Sequence, residues 1–276
     1  MAQRISVKQR VRRVTGTIGA ITIAALITTP AMASMGDMPM PMPKIPKGQA
    51  VPAPMGGTFL DIPVPSNILN LKLQGADGHS FTLASLKGKT VLISNFLTSC
   101  QEICPMTTAN MQKIADKIDA SGVAKKVVVV ELTVDPERDI PSRLAAYQAL
   151  YGSSNWLMAT GSNTSITAIW KFFQAPAKKM KFSAAELKSL PNDWQTGKKS
   201  AYDMMHSDLV LALAPNSHWV WLDLGSPKTT DGKVPATLKK FLTEEGLANL
   251  AKPEEPTWGV PAAVAALATI SQSMIH

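Results

Sequence analysis

Cysteine is nearly absent. Only Cys100 and Cys104 occur in 276 residues, and histidine is almost as scarce, with four. So few cysteines exclude a zinc-type cysteine cluster. No Ser-His-Asp arrangement and no glycine-rich phosphate-binding loop is present, so the usual hydrolase and nucleotide chemistries have no carrier. No internal repeat is evident. The chain is long enough for one large domain or two small ones, and a core of that size needs no covalent staple in order to fold.

Charge is also short once its location is considered. The chain counts 28 basic and 20 acidic residues, a net +8. Five of the basic residues (Arg4, Lys8, Arg10, Arg12, Arg13) lie within residues 1–13, which contain no acid. A weakly apolar run, "VTGTIGAITIAALITTPAMA", follows and ends in Ala31-Met32-Ala33, a small-x-small pattern. Residues 1–33 therefore read as an export signal, with an uncleaved membrane anchor as the rival reading. Without them the balance is 23 against 20, or +3. That is no footprint for nucleic acid.

Residues 34–57 are dense in Pro, Met and Gly and read as an extended linker. Met35, Met38, Met40, Met42 and Met55 are unusual there, and thioethers bind soft Cu(I). The folded domain is expected over 58–250. "TVLISNFLT" at 90–98 and "KVVVVELTV" at 126–134 read as strands buried on both faces. Helices are expected after the cysteines, over "IPSRLAAYQALYG" between Pro141 and Gly152, and after "SNTS" through Phe173. The alternation argues an α/β fold with a mostly parallel central sheet. Residues 175–201, with six lysines against Glu186 and Asp193, read as a solvated excursion or a basic docking face. Two strands joined at Pro215-Asn216-Ser217 and a closing helix from about Ala236 complete a thioredoxin-like plan. The tail, 251–276, reads as a packed helix, a partner-binding helix or a frayed end, its apolar run being short for a membrane span.

Pro105 places the cysteines. Proline lacks an amide proton and suits the first helical turn, so the helix starts near Cys104 with Cys100 one turn earlier. Both sulfurs then face the positive helix end, which favours thiolate. A disulfide between them is allowed, since four rises of about 1.5 Å give about 6 Å. Its short loop would contribute about 2 kcal/mol at best. Three readings stay open: a staple, a redox-active pair, or a soft two-sulfur clamp that a third ligand would complete for copper. Of His79, His206, His218 and His276, position favours His206 as that third ligand, because it directly precedes an apolar strand.

"FLTSCQEICPMT", "TVDPERD" at 133–139 and "YDMMHSDLVLALAPN" at 202–216 resemble, in this order, three segments of the Sco/SenC family. The likeness covers roughly 70–245. The resemblance implies a thioredoxin-like fold with a C-terminal β-hairpin and helix, and an exported or membrane-anchored location in the periplasm or at the outer face of the cytoplasmic membrane. It also implies copper handling, as Cu(I) or Cu(II), for cytochrome c oxidase assembly. The implied copper ligands are Cys100, Cys104 and His206, with Asp135 in a supporting or structural role. The implied partners are an oxidase copper subunit or similar cuproprotein and a copper donor protein, with no nucleic acid. Two departures stand out: Gln101 where a proline often follows the first cysteine, and Met205 where an Asp often precedes the histidine. Met204 and Met205 read as packing at a strand entry, with Met205 the alternative weak copper contact. Two functions follow, a copper-delivering assembly protein or a thiol-disulfide oxidoreductase using Cys100 and Cys104. A third is an exported thioredoxin-like domain that only binds partners.

Overall fold

The structure is a computed structural model that describes residues 50–152, 155–228, 231–253, 257–272 and 275. The segment 1–33, the methionines at 35–42 and His276 lie outside the described residues.

Three parallel strands form the centre. β5 (Thr90–Phe96) is buried at every position, as expected of a continuous apolar run covered on both faces. It pairs in parallel with β6 (Val127–Thr133), and β6 pairs in parallel with β7 (Leu157–Gly161). Helices make the crossovers: α2 (Cys104–Ala120) between β5 and β6, and α3 (Pro141–Tyr151) between β6 and β7. Each carries proline in its first turn, and Gly152 ends α3 at φ 90°. After β7, Ser162 caps α4 (Asn163–Phe172) by accepting from the Ser165 amide.

The sheet is mixed rather than mostly parallel. Nine strands run in the order β1-β2-β11-β10-β5-β6-β7-β3-β4, and only the β5–β6 and β6–β7 pairings are parallel. On one side β10 (Leu209–Leu213) and β11 (His218–Leu224) add as the expected hairpin, followed by β2 (Thr58–Pro63) and β1 (Val51–Pro52). Past the short helix α1 (Ser66–Leu69), β3 (Leu73–Gly75) and β4 (Ser80–Phe81) close the other edge. Val51 and Pro52 pair with Phe59 and Thr58, so the sheet takes in residues assigned from sequence to the linker. The whole remains the expected thioredoxin-like α/β plan, a central sheet flanked by helices.

Two details differ from expectation C-terminal to β7. Residues 175–201 are a solvated excursion as expected, buried only at Ala175 and Asp193, but they carry unexpected elements: β8 (Lys178–Lys181) pairs antiparallel with β9 (Tyr202–Met205) as a separate ribbon, with α5 (Ala184–Ser189) between them. The closing helix is two pieces, α6 (Ala236–Lys239) and α7 (Glu244–Ala251). Thr243 breaks it, because its hydroxyl caps α7 at Gly246 while its amide donates to the carbonyl of Gln101. The tail forms α8 (Val260–Ser271), packed on α2 and β5 with Ala263 and Leu267 fully buried. No described helix is long and apolar enough to cross a membrane.

Candidate metal centre

β5 delivers the chain into the loop 97–103 at the carboxyl ends of the parallel strands, where α/β sheets gather their ligands. Thr98 fixes the start of that loop. Its amide and hydroxyl donate to Asp139, at 3.2 Å and 2.5 Å, and its hydroxyl accepts from Arg143 Nε at 2.5 Å. Its carbonyl accepts from Trp194 Nε1 at 2.8 Å. Arg143 in turn grips Asp193 with both terminal nitrogens, at 3.1 Å and 2.6 Å.

The cysteines lie where Pro105 predicts. Cys104 is the first residue of α2, and its amide donates to Cys100 Sγ at 3.4 Å. Both thiols are free, with Cys100 8% and Cys104 1% exposed. That depth corrects the expectation of an easy thiolate at Cys104. Burial pushes the Cys104 thiol well up, and Cys100 beside it adds to the rise, so desolvation outweighs the helix end.

His206 reaches the same place from the other side of β5. It follows β9 and precedes β10, the strand paired antiparallel with β5. Its Nε2 is 4.0 Å from Cys104 Sγ. Asn95, second to last in β5, is its support: Nδ2 donates to the Ser207 carbonyl at 2.6 Å and lies 3.3 Å from His206 Nδ1, while Oδ1 accepts from the Leu209 amide at 3.0 Å. The Ser207 carbonyl is also 3.2 Å from Nδ1. A proton on Nδ1 directed there leaves the Nε2 lone pair facing Cys104. Cys104 and His206 therefore meet, with Cys100 one turn back. Among the described residues no three His, Cys, Asp or Glu side chains are gathered tightly enough to hold an ion as they stand.

The remaining candidates sort by contact. Asp135 is buried and accepts from Arg138 Nε and from the Tyr202 hydroxyl, the latter at 3.1 Å. Arg138 also lies over the Tyr202 ring and donates to its carbonyl. Asp135 thus anchors the first residue of β9, four positions before His206. Met204 packs against the core, and Met205 lies opposite Lys178 in the ribbon. His79 pairs with Asp77 in an exposed turn, and His218 with Asp61 on the far strands.

Sequence reasoning missed a set of acids around the thiols. Burial pushes Glu102 up to about 7, with Glu245, Asp203 and Asp208 adding to the rise. Burial raises Asp203 and Asp208 as well, while His206 pulls both down. Their signal was positional: Glu102 lies between the cysteines, and the two Asp residues flank His206 within three positions.

Comparison with known proteins gives a consistent match. The SCO1/SenC family model matches residues 70–242. The chain is similar to the SCO1 protein homolog of Bacillus subtilis, 34% identical over 112 residues, covering 40% of this chain and 57% of the relative. A SCO2-like protein of Rickettsia felis is 32% identical over 78 residues, 28% of this chain and 37% of the relative. The matches thus span little more than half of the first relative and less of the second. Among solved structures, Arabidopsis thaliana ScoI with copper bound is 24% identical with a TM-score of 0.46, covering 58% of this chain and 88% of that one.

Proposed function

Because the chain belongs to the SCO1/SenC family, we propose that it is a copper chaperone whose cargo is held by Cys100, Cys104 and His206. The observation that carries this is the approach of His206 Nε2 to Cys104 Sγ, 4.0 Å across 102 residues of sequence. Two sulfurs and an imidazole make a soft set suited to copper. A bound cation supplies the opposite charge that burial withholds from Cys104, so copper entry releases thiol protons. Loading the site requires the three side chains to draw together, because they are not gathered around one point as they stand.

The finer reading is delivery to the CuA site of cytochrome c oxidase or to a similar exported cuproprotein. Residues 1–33 act as export signal or anchor and place the domain in the periplasm or at the outer face of the membrane. The methionines of 34–57 relay Cu(I), and Met55, 58% exposed, is their one described member. Metal analysis of protein purified from an oxidising compartment tests the ligand set. Wild type is expected to retain near-stoichiometric copper that Cys100→Ser and His206→Ala lose. Copper held as tightly by His206→Ala as by wild type overturns the assignment.

One contact favours a second reading, thiol-disulfide exchange. The Cys104 amide on Cys100 Sγ stabilises charge on the attacking sulfur. Turnover of a disulfide substrate that survives His206→Ala unchanged would select this reading.

A further inference from the structure

Gln101 lies between the two cysteines and is 8% exposed. A buried primary amide is costly unless its donors are used. Here both are used. Nε2 donates to the Pro191 carbonyl and to the Phe241 carbonyl, each at 3.2 Å. The Gln101 carbonyl accepts from the Thr243 amide at 3.0 Å and from its hydroxyl at 3.3 Å. The partners come from two segments remote in sequence. Pro191 lies in the stretch between α5 and β9, the same stretch whose Trp194 holds the Thr98 carbonyl. Phe241 and Thr243 lie in the break between α6 and α7. Gly246 completes the approach: a Cβ there would stand 2.2 Å from the Gln101 carbonyl oxygen and 3.1 Å from Cα of Glu102. Only glycine lets α7 come this close to the loop.

We propose that Gln101 is a positioning residue, the pin by which these two outside segments clamp the cysteine loop and control access to Cys100 and Cys104. A proline at this position would stiffen the loop through its own ring. Glutamine stiffens it through partners, so the geometry of the loop depends on 190–195 and 241–246 staying docked. With both thiols buried, a reagent reaches them when the loop leaves the clamp. This goes beyond the ligand assignment and uses it only for the copper measurement below.

The full-length reduced protein has two thiols, so labelling by Ellman's reagent reads this loop alone. The rate is measured for wild type, Gln101→Met and Gly246→Ala, each at the same interval below its own thermal midpoint. Gln101→Met keeps the side-chain volume and removes both donors. It is expected to label about tenfold to thirtyfold faster, the weight of two buried hydrogen bonds. Gly246→Ala, acting from α7, is expected to accelerate labelling as well. Wild-type rates in both variants overturn the clamp. Copper affinity, by competition with a chromophoric chelator, is expected to fall about tenfold in Gln101→Met. A wild type that binds no copper would sink the ligand assignment, and the labelling rates would still decide the clamp.

Discussion

Asn95 and His206 touch across 111 residues of sequence, with the amide Nδ2 3.3 Å from the imidazole Nδ1. The same side-chain amide holds the Ser207 carbonyl and the Leu209 amide, so one residue on β5 sets both the ring and the strand that follows it. Asn95→Ala leaves the Leu209 amide without this acceptor and the Ser207 carbonyl, which receives the Nδ1 proton, without its donor. Copper affinity is expected to fall about ten- to a hundredfold. His206→Ala should cost more. Chelator competition on both variants checks the order.

Glu131 gives the protein a pH dependence of known sign. It is fully buried in β6, accepts from Thr108 Oγ1 at 2.9 Å and from Trp156 Nε1 at 3.0 Å, and burial raises its pKa from 4.5 to about 8. Between these values the folded state holds a proton that the unfolded chain has lost. Stability from this group is therefore complete below 4.5 and lost as pH rises to about 8, at about 1.4 kcal/mol per pH unit. The amide introduced by Glu131→Gln offers donors and an acceptor, as the protonated acid does, but does not titrate. Chemical denaturation from pH 5 to 8 is expected to show Glu131→Gln gaining on wild type throughout, and equal slopes would refute the assignment.

The ion pair of Arg143 and Asp193 is 8% and 6% exposed at its two side chains. Arg143→Met strands Asp193 and removes a donor to Thr98. Urea unfolding is expected to register a loss of about 3–5 kcal/mol. The double variant Arg143→Met/Asp193→Leu should recover part of it, because no buried charge of this pair is then left alone.

α8 is core, and its parts can be told apart by truncation of single side chains. Leu267→Ala, at a fully buried position, should cost about 2–5 kcal/mol. Leu247, 47% exposed on α7, should cost no more than about 0.5 kcal/mol when changed to Ala. Similar losses at the two positions would mean that α8 does not pack as described.

Legibility followed locality. β5 and β6 were readable because burial on both faces leaves an unbroken apolar run, and α2 because Pro105 marks a first turn. His206 was readable by its position before β10. The ribbon of β8 and β9 was not, since "KKMK" has one apolar residue, Met180, and no strand alternation, and its pairing with Met204 and Met205 is tertiary. The break at Thr243 was hidden for a related reason. Its amide serves Gln101, far away in sequence, and no helical pattern encodes that. α8 carried an apolar run, but nothing local says whether such a run is covered by α2 and β5 or by a partner. The acids near the thiols were visible as letters, but their effect arises only on burial.

The proposed function stands on a copper site of two sulfurs and one imidazole. X-ray absorption at the copper edge reads that coordination shell itself, on wild-type protein loaded with one equivalent of Cu(I). Two sulfur neighbours and one histidine nitrogen are expected, with the nitrogen lost in His206→Ala. A shell of sulfur alone, or one unchanged in His206→Ala, is incompatible with the site.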